Sequence, residues 1–110
     1  MSEPQGALIW CPFGDRDSAS QVVGQLLDER LIACANILPD MQSLYLWKGE
    51  RGDSRECGVL LKTEASTLDR AVERLAELHP YEDPAIIGWH CDAASPATLA
   101  WLAQETGNAG

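Results

Sequence analysis

A chain of 110 residues and 12.0 kDa is one domain long, and its 45% hydrophobic content is enough for a real core without staples. With 8 basic against 17 acidic residues the net charge is −9, which repels phosphate and makes nucleic acid and anionic membrane poor partners. No apolar stretch approaches the ~18 residues of a membrane span, and the opening segment Met1 to Ala7 carries Glu3 and Pro4 with no basic region, so a secretory signal is not expected.

In chain order, the apolar run Ala7 to Phe13 reads as a buried strand ended by Gly14 and Asp15. Ala19, Val22, Val23, Leu26 and Leu27 then recur at helical spacing. Ser18 with Gln21 fits a capping box, with Asp15 and Asp17 as competing caps. Gly24 inside this helix costs on the order of 1 kcal/mol against alanine, which suggests close packing on a sheet. Leu31 to Leu38 reads as a second strand, with a kink or bulge at Pro39 and Asp40, and Ser43 to Trp47 resumes the strand pattern. Lys48 to Arg55 reads as a polar turn, and Glu56 to Thr63 as a third strand forming an antiparallel hairpin with the second.

Ser66 or Thr67 is the expected cap of a second helix, whose apolar stripe is Leu68, Ala71, Val72, Leu75 and Leu78. Arg70 with Glu73, and Arg74 with Glu77, occupy its solvated side. Pro80 ends it. A fourth strand, Ala85 to Cys91, follows Pro84. Ser95 and Pro96 open a third helix through Leu99, Trp101 and Leu102, which Gly107 stops, leaving a frayed tail. The order β-α-β-β-α-β plus a terminal helix predicts an α+β fold: one ferredoxin-like domain over residues 1–110, with an antiparallel sheet.

The four cysteines, Cys11, Cys34, Cys57 and Cys91, lack CxxC or zinc-ribbon spacing and read as free thiols in a reducing cytosol. His79 sits at a helix end beside Tyr81, Glu82 and Asp83. Taken alone, it is an imidazole placed favourably at a negative helix terminus, with Tyr81 packed and the prolines fixing a turn. In this fold, however, the end of the first strand and the end of the second helix share one edge, so Cys11 and His79 can meet. A thiol with an imidazole suits copper or zinc, copper being favoured by the usual affinity order, and Glu82 or Asp83 could add oxygen. A packed, metal-free Cys11 fits the sequence equally well.

Tyr45 and Trp47 share a strand face on a long hairpin that extends past the helices. A bare two-stranded arm is marginal in water, so these aromatics read as a contact with further copies of the chain. An aromatic ligand shelf is the alternative. There is no GxSxG, Gly-rich phosphate loop or HExxH, and a Cys11–His79 nucleophilic pair has no orienting group or oxyanion hole, so an enzyme is not expected.

Leu31-Ile32-Ala33-Cys34-Ala35-Asn36-Ile37, Ser43-Leu44-Tyr45-Leu46-Trp47-Lys48-Gly49-Glu50, Leu61-Lys62-Thr63 and His79-Pro80-Tyr81-Glu82-Asp83-Pro84-Ala85-Ile86, in this order and spacing, resemble the CutA family of divalent-cation tolerance proteins. The likeness runs from Leu8 to about Glu105. It implies a ferredoxin-like subunit, a cytoplasmic homotrimer and a role in tolerance of divalent metals, copper above all. The family's copper site uses a cysteine ending the first strand and histidines before the Pro-Tyr motif. Cys11 and His79 match those positions, while Leu78 stands where some members carry a second histidine. The expected metal set is therefore Cys11, His79 and Glu82. The alternative implied by the likeness in assembly to PII-type proteins is a trimeric scaffold or small-ligand sensor that binds metal incidentally.

Overall fold

The computed structural model describes residues 5–107; the opening residues 1–4, within the segment read as lacking a signal, and the tail 108–110 lie outside it. Strands β1 (Gly6–Phe13), β2 (Cys34–Trp47), β3 (Glu50–Glu64) and β4 (Ile87–His90) form one antiparallel sheet in the order β2-β3-β1-β4. Helices α1 (Arg16–Asp28) and α2 (Leu68–Leu78) provide the crossovers, and α3 (Pro96–Glu105) follows the sheet. This is the ferredoxin-like α+β arrangement.

Alternation along β1 creates two unlike faces. Ala7, Ile9, Cys11 and Phe13 are buried with Ala19, Val22, Val23 and Leu26 of α1 and Leu68, Ala71 and Leu75 of α2. Through the register, Cys57, Val59, Leu61 and Thr63 of β3 share that face. Leu31 and Ile32, expected in the second strand, instead form a buried connection before Cys34. Leu31 N–H donates to Leu26 O and its carbonyl accepts from Thr63 Oγ1 at 2.7 Å, so this backbone is satisfied without the ladder.

The opposite face carries Trp10, Leu38, Met41, Tyr45, Trp47, Ile87 and Trp89. α3 closes only its end, where Leu102 meets Gly6 and Thr106 Oγ1 reaches Glu64. No other element among the described residues covers the face, and Ile87 and Trp47 are 63% and 52% exposed. Two aromatic rings lie along the sheet rather than standing up from it: Trp10 crosses Gly58, with Met41 beside it, and Tyr45 covers its cross-strand partner Gly52. A side chain at either glycine would displace the ring.

The long hairpin is present, but its polar turn is much shorter than Lys48 to Arg55. Lys48 and Gly49 both have positive φ (53° and 82°), the geometry of a two-residue turn, so β3 starts at Glu50 and the arm stays paired to its tip. The expected irregularity lies between Leu38 and Met41, where Asp40 has φ 60°. The arm outruns the helices, and Leu44 and Leu46 on its reverse side are 64% and 72% exposed.

Of the three helix starts, two match a cap offered by the sequence and one has no side-chain cap. Asp15 caps α1, accepting Ser18 N–H at 2.7 Å, so Ser18 is the receiving residue and not the cap. A 3-10 turn, Ala65–Thr67, leads straight into α2, and neither end carries a side-chain cap. Ser95 caps α3 with Pro96 in its first turn, as expected. Arg74 bridges to Glu29 at the end of α1 at 2.8 and 2.9 Å, and meets Glu77 only at 3.5 Å, so its main role is between helices. The Glu29 carboxyl is held down at about 2 by hydrogen bonds from Arg74 and Gln25.

Gly24 does not pack closely: a Cβ there meets nothing within 4 Å. Gly24→Ala should therefore raise stability by about 0.5–1 kcal/mol through helix propensity. Gly58→Ala, which drives Trp10 off the sheet, should lower it by about 1–3 kcal/mol. Thermal unfolding of both variants checks the pair, and a gain from Gly58→Ala would contradict the position of Trp10.

Candidate functional site

The site lies where β1 ends. β4 pairs with β1 only from Ala7 to Trp10, shorter than the expected Ala85 to Cys91, so it stops before Pro12. The Pro12 carbonyl is taken instead by His79. Because it precedes Pro80, His79 leaves helical geometry (ψ 137°) while its N–H still closes α2 on Leu75 O. The imidazole turns in under the sheet, 6% exposed and stacked on Phe13 with ring centroids 4.1 Å apart.

Both ring nitrogens are engaged. Nε2 lies 2.9 Å from Pro12 O, a pure acceptor, so Nε2 carries the proton. Nδ1 is then the acceptor for Tyr81 N–H at 3.1 Å. The ring is neutral and its tautomer fixed by its two partners. Burial lowers the His79 pKa, against the opposing influence of the Pro12 carbonyl and Glu56. Tyr81 continues the chain of contacts: its hydroxyl donates to Glu56 Oε2 at 2.8 Å. Burial and then Glu56 push the phenol pKa upward. Gly14 leaves room for this ring, since a Cβ there would lie 3.2 Å from the Tyr81 hydroxyl. The ends of β1 and α2, the Pro80 turn and β3 are thus tied by four residues: Pro12, His79, Tyr81 and Glu56.

Cys11 is fully buried on the helix-facing side, its Sγ 3.6 Å from the same Pro12 carbonyl. Burial, assisted by Glu56, pushes its thiol up to about 12. Cys11 and His79 therefore do converge on one carbonyl. Glu82 does not join them: it is exposed on the wall of a cleft whose lining includes Pro12 and Glu56 but not Cys11. Among the described residues no three His, Cys, Asp or Glu side chains are grouped closely enough to hold a metal ion. All four cysteines are free.

Sequence reasoning missed Glu56 and the Pro12 carbonyl. Glu56 immediately precedes the buried run from Cys57, at the inner end of the arm. A backbone carbonyl leaves no trace in side-chain patterns.

The geometry at His79 sets a pH dependence. Its folded pKa lies below the ordinary 6.5, so the unfolded chain binds the proton more readily. The stabilisation is complete above about pH 6.5 and falls as pH drops toward the folded pKa. Melting temperatures between pH 8 and 5 should decline more steeply in wild type than in His79→Gln.

Known proteins place the chain. The profile of the CutA1 divalent ion tolerance protein family matches residues 7–105. The divalent-cation tolerance protein CutA of Pyrococcus horikoshii is 42% identical over 99 residues, covering 90% of this chain and 96% of that protein. Its counterpart in Thermus thermophilus is 36% identical over 89 residues, covering 81% and 86%. The crystal structure of the divalent ion tolerance protein CutA1 from Ehrlichia chaffeensis superposes with a TM-score of 0.89 at 30% identity, covering 97% of this chain and all of that one (100%). The overall fold is thus that of a known group, and the chain belongs to the CutA1 divalent ion tolerance family.

Proposed function

We propose that this protein acts in divalent-cation tolerance as a cytoplasmic homotrimer that takes up copper at the end of β1. The observation that carries the assembly is the bare sheet face, with Trp10, Trp47 and Trp89 on it and the arm exposed on both sides. Apolar area of this kind is normally covered. A closed ring of three copies covers it without leaving an unpaired edge. The four free thiols are consistent with a reducing compartment.

For copper, the donors are Cys11 and His79, with Glu82 brought in by movement of the Pro80 turn. A thiolate and an imidazole are ligand types that suit copper ahead of zinc. Neither donor stands ready in the folded chain. Deprotonating a thiol at about 12 from neutral solution costs on the order of 7 kcal/mol, and His79 must release either Pro12 or Tyr81. Metal uptake is therefore coupled to proton release and to loosening of the clasp.

Sedimentation of the wild type should show a trimer at micromolar concentration, and a stable monomer would sink the assembly. Trp47→Ala should weaken the trimer, by about 2 kcal/mol or more if Trp47 anchors the contact, while Trp101→Ala on α3 should leave it intact. Calorimetric copper titration should give an affinity that rises with pH and is lost in Cys11→Ser and His79→Ala. Variants that bind as wild type does would move the site elsewhere and favour a scaffold that meets metal only incidentally.

A further inference from the structure

β3 has a neighbour on each side only as far as Cys57, which pairs with Phe13 at the end of β1. From Glu56 outward it has β2 alone, so Glu56 opens a two-stranded arm that runs to the turn at Lys48 and Gly49. The ladder partner of Glu56 is Met41, the first paired residue beyond the register shift, where Asp40 has φ 60°. The end of the three-stranded region and the irregularity in β2 thus fall at one level, which makes that level a joint. Two-stranded ribbons twist more strongly than wider sheets and are marginal alone, so strand pairing by itself sets the arm's direction loosely.

One side-chain contact crosses the joint. The Tyr81 hydroxyl donates to Glu56 Oε2 at 2.8 Å, across the cleft between the arm and the Pro80–Pro84 turn. Among the described residues it is the only side-chain hydrogen bond or ion pair from the arm, residues 41–56, to anything beyond β2 and β3. The others stay within the hairpin: Gln42 bonds Asp53, Ser54 bonds Tyr45 and Arg55 meets Asp40. The far end is anchored. Tyr81 N–H donates to Nδ1 of the buried His79 at 3.1 Å, and the two rings lie 4.7 Å apart. Gly14 gives the hydroxyl its passage, since a Cβ there would lie 3.2 Å from it. We propose that the Tyr81–Glu56 bond is a strut that fixes the arm's direction before subunits meet, and so readies the chain for assembly. The inference rests on the trimer reading and is independent of copper. An arm free to turn about the joint is competent to dock only part of the time, and affinity falls by that fraction. The loss appears in association, because the docked arm makes the same contacts once in place. A residue that touches the neighbouring copy acts mostly through dissociation.

The test is sedimentation of the intact protein over a range of concentrations, at a fixed urea concentration below the unfolding transition. Subunit exchange between two dye-labelled pools measures dissociation under the same conditions. Tyr81→Phe keeps the ring and removes the donor, and Glu56→Ala removes the acceptor. Each should raise the concentration at which half the chains are assembled about tenfold, with the rate of subunit exchange nearly unchanged. Combined, they should weaken assembly no further than either alone, because they break one bond. Glu56→Gln, which keeps an oxygen for the hydroxyl, should stay close to wild type. If Glu56→Ala does not fold, Tyr81→Phe and Glu56→Gln decide. With a trimeric wild type, three results each overturn the strut alone: Tyr81→Phe assembling as wild type does, effects that add in the double variant, or a loss carried by faster subunit exchange. A wild type that is monomeric at every concentration overturns the trimer reading, and this proposal with it.

Discussion

An antiparallel sheet can leave one face to water when that face is polar, but here both faces carry apolar side chains and the helices cover one. α1 and α2 account for the odd-numbered face of β1, where Ile9, Cys11 and Phe13 are fully buried. The other face has only α3 at one end and is otherwise left to Trp10, Leu38, Tyr45, Trp47, Ile87 and Trp89. The rings of Trp10 and Tyr45 lie down over Gly58 and Gly52, which keeps the surface low and lets a second sheet approach closely. The same absence of a layer lets β2 and β3 run on as an arm, so the cleft and the bare face have one origin.

The end of β1 shows how a ladder's termination creates a site. β4 pairs no further than Trp10, and the carbonyl of Pro12, two residues on, is taken by His79 instead. Pro80 sets the backbone that aims the ring, and Tyr81 secures its second nitrogen. Cys11 is protected by the same closure that raises its pKa. The Cys11 thiol and the His79 imidazole are therefore both engaged by the interactions that build the fold.

Much of this was legible in the residues. Spacing of apolar side chains identifies the helices because their buried stripes are regular: Leu68, Ala71 and Leu75 on α2, and Ala19, Val22, Val23 and Leu26 on α1. The fold's topology brings Cys11 to His79. Local composition misled where backbone conformation decides. Gly52 and Asp53 looked like turn residues, yet Lys48 and Gly49 complete the turn and Gly52 lies in the ladder beneath Tyr45. Gly24 looked like a packing glycine and faces open space. Glu82, adjacent to the right motif, points its segment to the cleft, while Glu56, distant in sequence, is the carboxylate that the site uses.

The most direct measurement of the central claim, that the bare face is covered by further copies, is acrylamide quenching of tryptophan emission in the native protein. Trp10, Trp47 and Trp89 lie on that face and Trp101 lies on α3. Covering predicts emission largely protected from acrylamide, with the accessible fraction removed by a Trp101→Phe substitution. Free quenching of the face tryptophans in folded protein at micromolar concentration would contradict it.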